Sequence, residues 1–276
     1  MNRNKRVFLW IVGLVMVALL FFCFQNNAIG ITEHEIALKR LPVSFDGYKI
    51  LQISDLHNKW FGVSQKRLMA KIDKIEFDII VITGDIGDAR RYDDEPIHSL
   101  IEQLVPLAPV YYVTGNHESD IDGYDALEAY MTSQGVRVLR NEYEILKKDG
   151  AEIIIAGIDD PTMHTGTGFE SALLKLSLNE TYFKILLSHR PEKMALYSTL
   201  NYDLVFSGHA HGGQIRMPFI GGVIAPHQGF FPKYFEGVHV EGETYMVISR
   251  GLGNSLFPLR VFNRPELVVV TLNSTD

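Results

Sequence analysis

Five short polar motifs each follow a run of β-forming residues, and this arrangement limits the folds that are open to the chain. The motifs are Asp55-Leu56-His57, Gly84-Asp85, Gly115-Asn116-His117-Glu118, Ser188-His189 and Gly208-His209-Ala210-His211. The runs before them are Ile50-Leu51-Gln52-Ile53, Ile79-Ile80-Val81-Ile82, Val110-Tyr111-Tyr112-Val113, Ile185-Leu186-Leu187 and Leu204-Val205-Phe206. Loops at strand ends of an α/β scaffold gather distant residues into one pocket. The sequence therefore predicts one polar pocket that several strands build together.

The side chains in these motifs are typical ligands of divalent metal ions. Imidazole nitrogens and carboxylate or amide oxygens suit Mn, Fe and Zn, and this set contains more of them than one ion can use. We therefore expect two adjacent ions. Asp85 lies between the other ligands in chain order and follows a glycine, so it is the candidate for a carboxylate that bridges both ions. We expect Gly84, Gly115 and Gly208 to let the backbone turn sharply into the ligand loops.

Two of the motifs contain paired ligands, Asp55 with His57 and His209 with His211. In an extended segment, residues two apart point to the same side, so we expect each pair to reach one ion or one pair of ions. A lone His or Asp after a strand is more often a cap or a surface residue. The combination of five such motifs favours a metal site over a purely structural role.

The first half of the chain alternates strands with helices. Helical character is predicted for Ser64 to Ile75, Ile97 to Leu104 and Gly123 to Gln134, each before a β-forming run, which is a βαβ pattern. The later strands are predicted close together, over Tyr143 to Lys147, Glu152 to Ile158, Lys184 to Ser188, Leu204 to Ser207, Thr244 to Ser249 and Glu266 to Leu272. This distribution favours an α/β fold of two packed sheets with helices outside over a single open sheet.

The order of the motifs resembles that of the calcineurin-like metallophosphoesterases over roughly residues 48 to 270. The resemblance implies the family's four-layer αββα sandwich. The stretches from Gly208 to Gln214, Gly229 to Tyr234 and Ser249 to Asn254 are similar to a bacterial membrane-associated branch of that family. Some members of this branch act on the pyrophosphate of UDP-2,3-diacylglucosamine-type lipids. A fold or family does not by itself determine the substrate.

The resemblance also implies a role for each site residue. Asp55, His57 and His211 would bind the first metal ion, Asn116, His189 and His209 the second, and Asp85 would bridge the two. His117 would lie beside the ions and protonate the leaving oxygen or stabilise charge on the phosphoryl group. Asp88 would orient His117. The family's phosphatases continue with Arg-Gly where this chain has Ala89-Arg90, so for Arg90 an exposed loop arginine competes with a phosphate-binding role.

The expected reaction is hydrolysis of a phosphoester by a metal-activated hydroxide. Two cations about 3.5 to 4 Å apart lower the pKa of a shared water and neutralise the oxygens of an in-line displacement at phosphorus. The sequence contains neither a Gly-x-Ser-x-Gly elbow nor a Walker A loop, in agreement with a reaction that needs no covalent intermediate. The single cysteine, Cys23, lies in an apolar N-terminal run, which excludes thiol catalysis.

The N-terminal run from Val7 to Phe24 carries no charge and spans roughly 27 Å as a helix, close to the thickness of a bilayer core. Arg3, Lys5 and Arg6 precede it, and the next basic residue is Lys39. The charge bias predicts a cytoplasmic N-terminus and an extracytoplasmic catalytic domain.

We therefore expect a cytoplasmic segment at 1–6, a transmembrane signal anchor at 7–24, a linker and first strand at 25–47, and the metallophosphoesterase domain at 48–276. A cleaved signal peptide, a lipoprotein signal ending at Cys23 and a buried helix are the alternatives, in that order. Ala28-Ile29-Gly30 is a poor cleavage site, and Phe21-Phe22 replace the small residues that a lipoprotein signal needs.

Substrate recognition is indicated by two arginines and by several apolar stretches. Arg190 and Arg250 are candidates for bidentate phosphate binding, although Arg190-Pro191 is also compatible with a helix-start contact. The apolar stretches could line an acyl-chain pocket, touch the bilayer, or pack a C-terminal loop over the core. They are Trp60-Phe61, Met217-Pro218-Phe219-Ile220, Gly229-Phe230-Phe231-Pro232 and Leu256-Phe257-Pro258.

Three functions remain open on this basis. The first is a phosphodiesterase or pyrophosphatase that acts on a membrane lipid headgroup; the others are a broad-specificity phosphomonoesterase and a non-catalytic metal-bound scaffold. The net charge of −7 and the scattered basic residues argue against a nucleic-acid partner. The oligomeric state is open.

Overall fold

The computed structural model describes residues 2–178, 181–217, 219–255 and 257–275. Pro218 and Leu256, which belong to two of the apolar stretches above, lie outside these ranges. The helices are α1 (Arg3–Asn27), α2 (Lys66–Ile72), α3 (Glu95–Leu104), α4 (Tyr124–Gln134), α5 (Gly168–Ser177) and α6 (Met194–Thr199). The strands are β1 (Gly30–Leu38), β2 (Tyr48–Ile53), β3 (Ile79–Thr83), β4 (Val110–Val113), β5 (Arg137–Val138), β6 (Glu142–Lys148), β7 (Ala151–Gly157), β8 (Phe183–Leu187), β9 (Leu204–Ser207), β10 (Arg216–Met217), β11 (Gly221–Gly222), β12 (Ile224–Ala225), β13 (Gly229–Phe230), β14 (Gly237–Glu241), β15 (Thr244–Ile248) and β16 (Glu266–Ser274).

Two six-stranded sheets form the body of the molecule. The first has the order β1-β16-β2-β3-β4-β5, in which β2 to β5 are parallel and β16 runs antiparallel to β2. The second has the order β14-β15-β9-β8-β7-β6, with four parallel central strands and an antiparallel strand at each edge. Parallel neighbours direct their carboxyl ends to the same edge of a sheet, where loops can share a site.

The two sheets pack face to face, and helices cover both outer surfaces. Along β3, Ile79 and Val81 face the core between the sheets, whereas Ile80 and Ile82 pack under α2, α3 and α4. The outer face of the second sheet packs against α5 and α6. Strands buried on both faces need an apolar residue at nearly every position, which explains the unbroken apolar runs of the sequence. The four-layer αββα sandwich is thus confirmed.

The predicted elements of the first half are present with slightly different ends. The structure has α2 at Lys66–Ile72, α3 at Glu95–Leu104 and α4 at Tyr124–Gln134. The sequence did not predict α5 and α6, which lie among the later strands. The helical periodicity of α5 rests on Phe169, Leu173 and Leu176, and α6 has only 6 residues, so neither has a strong periodic pattern.

The N-terminal helix α1 is long and apolar enough to cross a membrane, by length and composition, and none of its most apolar window is buried in the protein. Most of this helix surface is not covered by the described part of the protein, and an apolar surface of this size is typical of contact with lipid or with a partner. The helix begins at Arg3 with Asn2 as its N-cap and ends at Asn27, just before β1.

The core between the sheets should tolerate truncation poorly. Ile155 on β7 is fully buried there, so Ile155→Ala should lower the free energy of unfolding by about 3 kcal/mol through lost burial and a cavity. Ile145 on the edge strand β6 is 40% exposed and gives a matched control, because Ile145→Ala should cost less than about 1 kcal/mol. Urea unfolding of both variants measures the difference, and equal losses would contradict this packing.

Candidate metal centre

The first ligand cluster contains Asp55, His57, Asp85 and His211, all buried, with one candidate ligand atom from each within 4.8 Å of the others. Nε2 of His57 lies 3.2 Å from Nε2 of His211, and Nε2 of His211 lies 3.4 Å from Oδ1 of Asp55. The residues come from the loops that follow β2, β3 and β9, so both sheets contribute. Lone pairs that converge at this spacing fit a cation between them.

The second ligand cluster contains Asp85, His189 and His209. Nε2 of His189 lies 3.2 Å from Oδ2 of Asp85 and 3.1 Å from Nδ1 of His209. His189 follows β8, and His209 follows β9. Asp85 belongs to both clusters, so its carboxylate lies where two ions could share it.

Two further observations test whether these residues fit metal ions. Nδ1 of His189 lies 2.7 Å from the Thr83 carbonyl, to which it donates its proton, and this leaves the Nε2 lone pair facing Asp85. Oδ1 of Asn116 is buried and has no hydrogen-bond partner among the residues that the structure describes. An imidazole nitrogen directed at a carboxylate and an unpaired buried oxygen are both suited to a divalent ion, so the donor set fits the metals that the sequence predicts.

The electrostatics of the clusters agree with metal binding. Burial lowers the pKa of His57 to about 4 and the pKa values of His209 and His211 well below their usual range, which keeps these imidazoles neutral. Burial opposes ionisation of Asp85, but His189 and His57 outweigh it and hold the pKa of Asp85 well below its usual range. Burial also opposes protonation of His189, yet the Asp85 carboxylate raises its pKa to about 10. A cation bound between the two would displace that proton.

The backbone conformation of the ligand pairs differs from the predicted one. Asp55 and His57 have φ values of 51° and 48°, and His209 and His211 have 67° and 48°, so neither pair lies in an extended segment. Asp85 also has a left-handed backbone, with φ of 51°. The explanation from strand periodicity was therefore wrong. Left-handed non-glycine residues cost about 1–3 kcal/mol each and persist where the surroundings enforce them.

The glycines of the motifs serve two different purposes. Gly84 has φ of +83°, a turn conformation of the kind expected. Gly115 and Gly208 do not have positive φ, and the expectation of a sharp turn was wrong for them. A Cβ atom at Gly115 would collide with the Asp85 carboxylate, and one at Gly208 would collide with the side chains of Ser54 and Asp55. These two positions need glycine because the ligands pack directly against the backbone.

Glu118 organises the loops beneath the clusters, a role that the sequence did not predict. Its buried carboxylate accepts the backbone N–H groups of Asp85 at 2.9 Å, Ile86 at 2.9 Å, Gly87 at 3.3 Å and Gly115 at 2.5 Å. Burial and the Asp85 charge raise the pKa of Glu118 to about 7. The only sequence signal was a carboxylate inside a motif that is otherwise ligand-bearing. Glu118 ties the loop after β3 to the loop after β4.

His117 lies at the rim of the clusters with its side chain 12% exposed, and Nδ1 lies 3.4 Å from Oδ1 of Asp88. Nε2 of His117 lies 3.4 Å from the Ser255 hydroxyl, a neighbour that the sequence did not indicate. Asp88 also accepts the Arg90 guanidinium at 3.1 Å, and Arg90 donates to Ser255 at 3.3 Å. The structure thus brings His117, Asp88 and Arg90 together.

Arg190 and Arg250 do not have the free guanidinium groups that bidentate phosphate binding requires. Nε and Nη2 of Arg190 bind Asp160 at 2.5 and 2.8 Å, so the expected bidentate role was wrong. Its remaining Nη1 lies 2.7 Å from Nδ1 of His227, whose ring stacks on His209 at 5.1 Å. Nη2 of Arg250 is held by Glu266 at 2.5 Å, whereas its Nε lies 3.6 Å from Glu236 and has no hydrogen-bond partner among the described residues. The sequence did not single out Asp160 or His227, because neither belongs to a motif.

A polar cavity opens over the clusters, and an apolar groove lies beside it. A polar cavity of about 310 Å³ is lined by the ligands Asp85, Asn116, His209 and His211 together with His117, Arg90, Ala89, Asp120, Ser255, Pro226 and His227. A larger apolar groove of about 580 Å³ shares Pro226 and His227 with it. Its other lining residues are Gln214, Ile215, Val223, Ile224, Ala225, Gly229, Phe230 and Phe257. A polar cavity with an apolar groove beside it suits a substrate that has both a polar and an apolar part.

The fold and this buried His and Asp cluster define a metallophosphoesterase. Residues 48–213 match the model of the calcineurin-like phosphoesterase family, and the chain belongs to that family. The predicted family membership and the class of phosphoric ester hydrolase are thereby confirmed.

Several proteins of the family are similar to this chain over most of its length. The uncharacterized metallophosphoesterase YkuE of Bacillus subtilis is 37% identical over 258 residues, which cover 91% of this chain and 88% of YkuE. The phosphodiesterase YaeI of Escherichia coli is 25% identical, with 82% of each chain covered. A transmembrane protein with a metallophosphoesterase domain from Danio rerio is 27% identical over 95% of this chain and 62% of its own length.

The four N–H groups that Glu118 accepts generate a prediction about site assembly. Glu118→Gln turns an amide NH₂ toward two of these donors, so we expect a loss of about 2 kcal/mol in unfolding free energy and a lower manganese content. Asp122→Asn, an exposed carboxylate four residues away, is the matched control and should change neither quantity. Urea unfolding and elemental analysis after dialysis provide the measurements. A Glu118→Gln protein with full stability and metal content would exclude this role.

Proposed function

We propose that this chain hydrolyses phosphoesters with a dinuclear centre of divalent Mn, Fe or Zn ions. The observation that carries the proposal is the Asp85 carboxylate, which belongs to both ligand clusters. Asp55, His57 and His211 hold the first ion, and Asn116, His189 and His209 hold the second. The convergence of the first three and the unpaired Asn116 oxygen support this division.

The ions, when bound, supply positive charge that acidifies water and neutralises the phosphoryl oxygens. The protein holds the ligands in place through Glu118 and through the hydrogen bond from His189 to Thr83. Because the imidazoles of His57, His209 and His211 stay neutral at physiological pH, they are ready to bind without first losing a proton.

His117 protonates the leaving oxygen, and Asp88 positions its ring. The support for this assignment is the contact between Nδ1 of His117 and Asp88 and the place of His117 on the wall of the polar cavity. Arg90 lines the same cavity and is 38% exposed in its side chain, so it can reach a phosphoryl oxygen beside Asp88. Arg190 positions His209 and His227 from below, since its other nitrogens are bound to Asp160.

The substrate is a lipid-linked phosphodiester or pyrophosphate. The apolar groove next to the polar cavity supports this choice, because a water-soluble nucleotide would leave it unused. The similarity to a protein named as a phosphodiesterase is consistent with it. A broad-specificity phosphomonoesterase is the alternative, since the polar cavity alone has room for a phosphate monoester.

Paired chromogenic substrates test the reaction. With Mn, we expect faster turnover of bis-p-nitrophenyl phosphate than of p-nitrophenyl phosphate, and a chelator should abolish both. Asp85→Asn should lower turnover by about 10³-fold or more and release metal, because the bridging charge is lost. Asp149→Asn, in the exposed turn between β6 and β7, is the control. A preference for the monoester would favour the alternative, and no turnover with any divalent ion would reject both enzyme functions.

We place the protein in the cell membrane, as a single-pass protein with its catalytic domain on the extracytoplasmic side. The support is the apolar surface of α1, the basic residues Arg3, Lys5 and Arg6 before it, and the similarity to proteins named as transmembrane proteins.

Reporter fusions test this topology in the cell. Alkaline phosphatase fused after Asp276 should be active, because the fusion point lies outside the cytoplasm, and green fluorescent protein at the same point should be dark. The reversed pattern would show a cytoplasmic domain. Release of the fusion as a shortened soluble form would instead show that α1 is cleaved.

A further inference from the structure

The end of α1 is fastened to the domain beside the metal centre. The carbonyl oxygen of Asn26 accepts the Lys59 ammonium at 2.5 Å, and its side-chain oxygen accepts Asn254 at 2.8 Å and the Arg260 backbone N–H at 3.2 Å. The loop that carries Asn254 also carries Ser255, which contacts His117. The helix and the rim of the polar cavity therefore share one loop.

Apolar loops lie on one side of this attachment. The ring of Phe262 packs edge-on against Phe21 of α1, with ring centroids 5.5 Å apart. The loop of Phe262 is joined to the loop after β9 by the bridge between Ile215 and Val261. We call the described residues 214–217, 219–231 and 257–262 the apolar loops. Their exposed large side chains are Met217, Phe219, Ile220, Ile224, Phe230, Phe231, Phe257, Leu259 and Phe262.

A basic cleft lies on another side of the same helix end. It has a volume of about 430 Å³, and its lining combines Phe24, Asn27, Ala28 and Ile29 with Ala70 and the basic residues Arg67, Lys71, Lys74 and Arg264. The Arg264 guanidinium lies 5.4 Å from the centroid of the Phe24 ring. Basic side chains next to the end of a membrane helix are typical of contacts with anionic lipid headgroups.

We propose that the apolar loops and the basic cleft form one membrane-contact face, which lies on the bilayer that α1 crosses. If Phe21 and Phe24 lie within or at the edge of the bilayer, then Phe262 and Arg264, which touch them, lie at its surface. The apolar side chains enter the boundary between headgroups and acyl chains, and the basic cleft takes the phosphate of an anionic lipid.

The membrane-contact face also explains how a lipid-linked substrate reaches the ions. The apolar groove lies within the apolar loops and shares Pro226 and His227 with the polar cavity. An acyl or isoprenoid chain can therefore leave the bilayer along the groove while its phosphoester enters the polar cavity. This step rests on the proposed hydrolysis of a lipid-linked substrate, whereas contact of the face with lipid rests only on the proposed membrane span of α1.

A membrane fits this face better than a second copy of the chain does. The apolar residues and the basic residues both surround a helix that is itself suited to a bilayer, so the face continues the apolar surface of that helix. A protein partner would have to approach the same face around a membrane-embedded helix.

Fluorescence quenching by lipid tests the proposal on the full chain. Cys23→Ser removes the only cysteine, and single cysteines are then introduced at Phe230, at Leu259 and, as a control, at Leu107. Leu107 is 46% exposed and lies before β4, at the opposite edge of the sheet from the metal centre. The proteins carry an environment-sensitive dye on the cysteine and are reconstituted into vesicles of phosphatidylcholine and phosphatidylglycerol.

Lipids with a nitroxide on the upper acyl chain should quench the dye at Phe230 and Leu259 at least about twofold more strongly than at Leu107. Equal quenching at all three positions would overturn the proposal. Strong self-quenching between labelled copies, without quenching by lipid, would assign the face to a homo-oligomer and would also overturn it.

Charge reversal tests the basic cleft separately. Lys71→Glu with Lys74→Glu should abolish the increase in quenching at Leu259 that phosphatidylglycerol produces over phosphatidylcholine alone. Lys175→Glu, an exposed change on α5, is the control and should leave that increase intact. If phosphatidylglycerol still increases the quenching in the double variant, the basic cleft is not part of the membrane-contact face. Neither measurement needs turnover, so failure here is distinct from failure of the proposed hydrolysis.

Discussion

The structure depends on the concentration of buried ligand groups around one carboxylate. Asp85 is shared by two clusters that also contain Asp55, His57, His189, His209 and His211, all buried. Carboxylates and imidazoles that are buried this close together repel one another unless a cation or a proton lies between them. The raised pKa of His189 and the raised pKa of Asp55, which burial and the Asp85 charge move to about 6, both reflect that constraint. Metal ions satisfy it with the same groups.

The two-sheet architecture allows these ligand loops to converge. Each sheet is apolar on both faces, so the core is stable without any help from the ligand loops, and the loops are free to adopt costly conformations. Five candidate ligands have left-handed backbones, and Gly115 and Gly208 let side chains press against the main chain. Glu118 adds hydrogen bonds that hold two of these loops together. The stability of the sandwich thus offsets strain at the site.

Helix α1 is also connected to the domain by hydrogen bonds. The contacts of Asn26 with Lys59, Asn254 and Arg260 place the helix end against the loop of Ser255, which in turn contacts His117. Burial at this junction lowers the pKa of Lys59 to about 7. The end of α1 and the rim of the candidate metal centre are therefore joined through the described residues 252–255 and 257–260.

The sequence by itself determined most strands of the two large sheets, the first helices and the identity of the residues that converge, because unbroken apolar runs and ligand motifs at strand ends are local patterns. It did not reveal α5 and α6, whose periodicity is short, nor the true geometry of the ligand pairs, because left-handed conformations leave no pattern in side-chain type. The roles of Glu118, Asp160 and His227 and the occupation of Arg190 by Asp160 were decided only by the tertiary structure. They depend on which loops of two different sheets meet, and that is set by sheet packing rather than by neighbours in the chain.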